Sequence, residues 1–208
     1  MSSDAMPRHA LGMPPGSVRA LLALMVVMLV CALMLIPPHD PNNPTPIPAY
    51  LLFLTFLILG HYFASRGNTR GQTDAWNRQP LNLPRGCIRL LLLASLTATT
   101  IYRFSSDPTG FEKQLDASVK SLGEMPILPV VLLASFFVGA LLRMLIGQHP
   151  PAWFQDIEAW VSLIAVLLMA VATLIHLVIK PSLSQDLNLS VWECILSAVV
   201  AFYFGERS

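Results

Sequence analysis

The stretch "LPRGCIRLLLLASL", Leu83 to Leu96, changes character at Arg89: Pro84, Arg85 and Gly86 precede it, and beyond it no charge appears until Arg103. Arg85 and Arg89 are four apart, so on a helix they share a face. Their long aliphatic stems can lie on apolar surface while the guanidinium groups reach a polar one. A nucleic-acid patch, a substrate clamp and a membrane boundary would each place arginines in this way, and the rest of the chain decides among them.

Of its 208 residues 54% are hydrophobic and only 12% charged, against about 25% charged in ordinary soluble domains. The mean hydropathy is +0.61. The formal net charge is only +1 and Asp74 stands near the arginines, which excludes the extended basic surface that nucleic-acid binding requires. Apolar runs at about 19–36, 49–64, 88–103, 127–147, 158–179 and 187–205 approach the roughly 20 residues of a helical crossing. Helices are expected because each satisfies its own backbone in lipid, and most runs exceed the roughly 9–11 residues of a barrel strand. Prolines at 37, 38, 48, 84, 126, 129, 150, 151 and 181 fall mostly near run ends, where a missing donor does least damage. The sequence therefore predicts an all-α, polytopic membrane protein of about six transmembrane helices. The first run reads as a retained span, because Met34 to Pro38 offer no small-residue cleavage pattern.

Grouping alternate loops puts Arg8, Arg19, Arg66, Arg70, Arg78, Arg85, Arg89, Arg143 and Arg207 on one side, against Arg103, Lys113, Lys120 and Lys180 on the other. The positive-inside rule then predicts that both termini are cytoplasmic, in a multi-pass protein of the cell membrane, the cytoplasmic membrane of a bacterium. Arg19, Arg66, Arg85, Arg89, Arg143 and Arg207 become expected contacts to lipid headgroups or to a partner. Trp76, Trp153 and Trp160 are expected interfacial anchors.

Gly16 and Arg19 match Gly86 and Arg89 at an offset of 70, and "HYFASR" at 61–66 matches "FYFGER" at 202–207. Together these predict, after a cytoplasmic tail at 1–13, three parallel helical hairpins at 14–70, 84–148 and 153–208. Parallel repeats imply pseudo-symmetry about the membrane normal. Between the third and fourth runs Phe111, Leu115, Val119 and Leu122 recur at helical intervals, with Glu112, Lys113, Asp116 and Lys120 on the other faces. This pattern predicts a short interfacial helix near 111–122, with Asp116 and Lys120 as an i,i+4 pair.

Chemistry-bearing groups at membrane depth are few. Glu193 is the most informative, since a charge in lipid costs several kcal/mol, about 3 on insertion scales, unless paired or wetted. His176, Arg103, Thr97 and Thr100 fall toward the same outer boundary and complete a candidate polar or transport site. Cys31, Cys87 and Cys194 form no disulfide framework, and histidines at 9, 39, 61, 149 and 176 form no close ligand pair, so no metal or cofactor is expected. No nucleophile with a base and an orienting partner can be assigned, and an enzyme is not expected. Two readings remain. One is an integral membrane structural or accessory subunit, packing with membrane protein partners or its own copies through small residues such as Ala134, Ser135, Gly139 and Ala140. The alternative is a small channel or solute transporter with its outer polar site around Glu193.

Overall fold

The structure, a computed structural model, describes residues 17–36, 46–64, 86–146, 152–180 and 190–206. The expected tail at 1–13, Gly16, Trp76, and the boundary residues Arg66, Arg85 and Arg207 lie outside the described residues. Within them every element is helical: α1 (Ser17–Leu35), α2 (Ala49–Ala64), α3 (Cys87–Ser106), α4 (Pro108–Glu124), α5 (Ile127–Ile146), α6 (Ala152–Leu174) and α7 (Ser190–Glu206). A π-helical turn, Ile175–Ile179, continues α6. Four segments, Ser17–Leu35, Cys87–Ser106, Ile127–Ile146 and Ala159–Ile179, are long and apolar enough to cross a bilayer. This is the composition and geometry of a membrane protein. At 16 and 17 residues, α2 and α7 are shorter.

Side-chain contacts fix the directions of the helices. Arg19 at the start of α1 meets His61 at the end of α2, and His61 meets Phe204 at the end of α7. At the opposite end α4 lies across the finish of α1 and the approach to α2: Gln114 Nε2 donates to the Leu33 carbonyl, and the Ile47 backbone N–H donates to Ser118 Oγ. The bundle therefore has an arginine end and an α4 end.

α1 packs on α2, α3 and α6, and α7 packs on α2, α5 and α6. α1, α2, α7 and α6 thus close a four-helix ring, with α3 leaning on α1 and α5 on α7. The sequence dictates this division. α1 is apolar on all sides and buries Leu22, Ala23, Val26 and Val27 completely, as expected of a central helix. α3 buries a stripe of Ile88 and Leu92, and α5 a stripe of Leu128, Leu132 and Gly139. Their outer faces expose Leu90, Ile101 and Phe104, and Val130, Phe137 and Met144. So much open apolar surface suits lipid as solvent.

The two helices of the expected middle hairpin, α3 and α5, make no extended contact with each other, whereas α1 with α2 and α6 with α7 do pack. The reason is α4. Its 17 residues carry the chain about 25 Å across the bundle end at 1.5 Å per residue. Asp107 starts α4 by accepting the Gly110 N–H at 2.9 Å, with Pro108 in the first turn.

α4 divides into three sectors. Gln114 and Ser118 are buried against the bundle, with Phe111 and Leu122 packed beside them. Leu115 and Val119 are exposed on one flank. Asp116 and Lys120 form an exposed ion pair of 2.8 Å on the far side. The apolar stripe seen in the sequence is thus shared, its ends held by protein and its middle left open, because the hydroxyl and amide of Ser118 and Gln114 find backbone partners on the bundle.

α5 and α7 approach each other closely. A Cβ at Gly139 would stand 2.7 Å from the backbone nitrogen of Glu206, and one at Gly205 would stand 2.8 Å from the Phe136 carbonyl carbon. Small residues let two backbones touch, which is how helices gain packing energy where lipid is as apolar as leucine.

Candidate functional site

At the α4 end three side chains converge from three helices. His176 comes from the π-helical turn, Glu193 from the first turn of α7 and Tyr50 from the start of α2. A π turn admits one extra residue into the helical repeat and rotates the side chains beyond it; such turns recur at functional positions. His176 is 5% exposed and Glu193 7%, so the glutamate flagged in the sequence is enclosed by protein. His176 Nε2 lies 4.0 Å from Glu193 Oε1, too long for a direct hydrogen bond. The Tyr50 ring stands 5.8 Å from the imidazole, tilted by 33°. Its buried hydroxyl has no hydrogen-bond partner among the described residues. Lys180, one turn beyond His176, is within electrostatic reach of both His176 and Glu193.

A buried carboxylate, imidazole and phenol brought this close can hold and exchange a proton. Ser197, one turn along α7, donates its hydroxyl to the Glu193 carbonyl at 2.6 Å, so the neighbouring hydroxyl is committed to backbone. Among the described residues no three His, Cys, Asp or Glu side chains come together to hold a metal ion.

The other members of the expected outer set lie elsewhere. Arg103 is on α3 at the same bundle end, 8% exposed, with its Nε and Nη2 unpaired among the described residues and no ion pair to Glu193. Thr97 and Thr100 are on the exposed face of α3, whose main contacts are with α1 and α4. The structure therefore joins His176 to Glu193, adds Tyr50, and leaves the threonines outside.

No family model, no curated protein and no solved structure matches this chain. Its own geometry is therefore the guide to its function.

A second polar cluster closes the arginine end. Arg19 Nη1 donates to His61 Nε2 at 2.8 Å, and the imidazole stands edge-on to Phe204 with ring centroids 5.4 Å apart. Glu206, the last residue of α7, is 2% exposed and lies in the field of Arg143 and Arg19. Arg89 is half-buried and acts electrostatically on His61 and Tyr62. Expected as lipid contacts, Arg19, Arg89 and Arg143 are thus also drawn into a network that ties the ends of α1, α2, α3, α5 and α7.

Tyr50 and Glu206 were not singled out by the sequence. A tyrosine opening an apolar run looks like an interfacial anchor, and a glutamate closing one looks like a solvated end. One signal was present for Glu206: the matched segments 61–66 and 202–207 both carry aromatic residues, and His61 and Phe204 from them are in contact.

Proposed function

We propose that this chain is an integral membrane structural or accessory subunit that packs with other membrane proteins. The observation that carries this reading is the dry middle of the ring. Between the two polar ends, Val26, Val27, Leu54, Ile58, Met169, Leu196 and Val200 are all fully buried. Hydroxyls at mid-depth turn back on their own helices: Thr55 donates to the Leu51 carbonyl and Thr173 to the Met169 carbonyl. A conducting path needs a continuous series of polar or wettable groups, and aliphatic side chains fill that space.

The same reading takes α2 and α7 as two further, shorter crossings, giving six. The arginine end is then cytoplasmic, both termini lie on that side of a bacterial cytoplasmic membrane, and α4 rests on the outer surface. Leu115 and Val119 would face lipid there while Asp116 and Lys120 face water. Packing of α1 with α2 and of α6 with α7 supports two of three repeated hairpins.

A second reading, a small channel or transporter, is favoured by one observation: the enclosed His176–Glu193 pair with Tyr50. Purified protein in liposomes separates the two. The subunit reading expects no solute or ion flux above protein-free vesicles. A saturable or conductive flux abolished by Glu193→Gln would sink it.

A further inference from the structure

Between His176 and Glu193 there is a gap of definite size. Nε2 and Oε1 stand 4.0 Å apart, beyond one hydrogen bond yet within the span of two that share a middle atom. Two hydrogen bonds of about 2.8 Å meet at roughly 90° when their outer ends are 4.0 Å apart. Polar groups separated in this way are where an intervening water is expected.

A third group joins them. Tyr50 is fully buried, and its hydroxyl has no hydrogen-bond partner among the described residues. It lies within electrostatic reach of Glu193, and its ring stands 5.8 Å from the imidazole. A buried hydroxyl without a partner gives up its hydration for nothing in return, and proteins meet that need with ordered water where no side chain can. Other buried or half-buried hydroxyls of the bundle have no such need. Thr55, Ser162, Thr173 and Ser197 each donate to a carbonyl one turn back on their own helix. Tyr50 cannot do the same, because its hydroxyl stands at the far end of a rigid ring.

Charge decides the kind of occupant. Lys180 already puts a positive charge within reach of both Glu193 and His176, and among the described residues no further Asp, Glu, His or Cys completes a metal-holding group with them. The ligand that fits is small and neutral. We propose that one water molecule is bound between Glu193 Oε1 and His176 Nε2 and accepts the hydrogen bond of the Tyr50 hydroxyl. Both of its protons are then free for Oε1 and for an unprotonated Nε2, and three polar partners are what a buried water ordinarily has. The same water carries proton exchange across the gap: it takes a proton from the carboxyl as it releases one to the imidazole, and is itself unchanged. The inference goes beyond the subunit reading and holds equally if the chain is a transporter.

The test is X-ray radiolytic footprinting of the full chain in lipid nanodiscs, read by mass spectrometry, in which hydroxyl radicals formed from a bound water oxidise the side chains that hold it. Tyr50 and His176 are expected to be oxidised although both are buried. Met169, fully buried on the helix that leads to His176, is the reference. A thioether oxidises readily wherever an oxidant reaches it, and Met169 should stay unmodified. The double variant Glu193→Leu with His176→Leu removes two of the three partners, and oxidation of Tyr50 should be lost in it. If that variant fails to fold, the wild-type contrast with Met169 decides alone. Tyr50 and His176 as unmodified as Met169 would overturn the proposal, and so would equal oxidation of all three, which would mean bulk water inside the bundle. Oxidation of Tyr50 that persists in the double variant also overturns it, since other groups would then hold the water. Flux into liposomes is a separate readout, so this proposal and the functional reading fail independently.

Discussion

Gly139 of α5 and Gly205 of α7 each lie against the backbone of the other helix, Gly139 facing Phe202 and Glu206 and Gly205 facing Phe136. Neither position has room for a methyl group, and the obstacle is main chain that cannot rotate away. Gly139→Ala and Gly205→Ala should each destabilise the protein by about 1–3 kcal/mol, the usual cost of overpacking. Gly60→Ala is the control: nothing lies within 4 Å of a Cβ there, and replacing a helical glycine should be neutral or add about 0.5–1 kcal/mol. Unfolding in detergent measures all three. Equal tolerance at the three sites would contradict the close crossing.

His176 and Glu193 should behave as one unit. Leaving one buried polar group without its neighbour costs about 1–3 kcal/mol, whereas replacing both by apolar groups of similar shape is often close to neutral. Glu193→Leu and His176→Leu should therefore each destabilise more than the double variant. A double-mutant cycle by thermal unfolding reads the coupling, and simple additivity would mean that the two side chains act independently.

The underside of α4 holds the bundle end through two polar contacts. Gln114→Ala removes the donor to the Leu33 carbonyl, and Ser118→Ala removes the acceptor for the Ile47 N–H. Each should cost about 0.5–1.5 kcal/mol and speed amide exchange at the end of α1 and the start of α2. Leu115→Ser, on the open flank, should leave stability in detergent unchanged.

Asp107 gives that end a pH dependence. The Gly110 backbone N–H, with help from the Thr109 hydroxyl, holds its carboxyl below the ordinary aspartate value of 3.8. The folded-state value is depressed, so the cap's contribution is fully present above the ordinary value and is lost as pH falls through the folded one. Protection of the Gly110 and Phe111 amides should fall as the solution is acidified below 3.8. Asp107→Asn, which caps without titrating, should flatten the dependence; an unchanged profile in that variant would assign the effect to another group.

Much of the helical frame was legible because apolar runs bounded by proline and arginine say where a backbone must satisfy itself. The run at 49–64 is α2 to the residue, and the run at 127–147 is α5 over all of its described residues. The start of α4 was missed by three residues, although Asp107 and Pro108 are a cap and a first-turn proline by type. Packing was less legible. Nothing in the period of α3 says that Thr97 and Thr100 face outward, because a helix among other helices and lipid can be apolar on several sides. The His176–Glu193 contact joins residues near one boundary that the sequence had grouped, while Tyr50, which lies far from both in the chain, enters only through the closure of the ring. Arg19 looked like a headgroup contact because burial of an arginine against a histidine depends on a partner 42 residues away.

If the chain works as part of a larger membrane assembly, it should leave the membrane with its partner. Extraction in native lipid particles through a tag on this chain, with mass measurement of the intact particle, asks that question without intermediate steps. A second membrane polypeptide at fixed stoichiometry is expected in every particle. Particles whose protein mass is this chain alone would contradict the subunit reading.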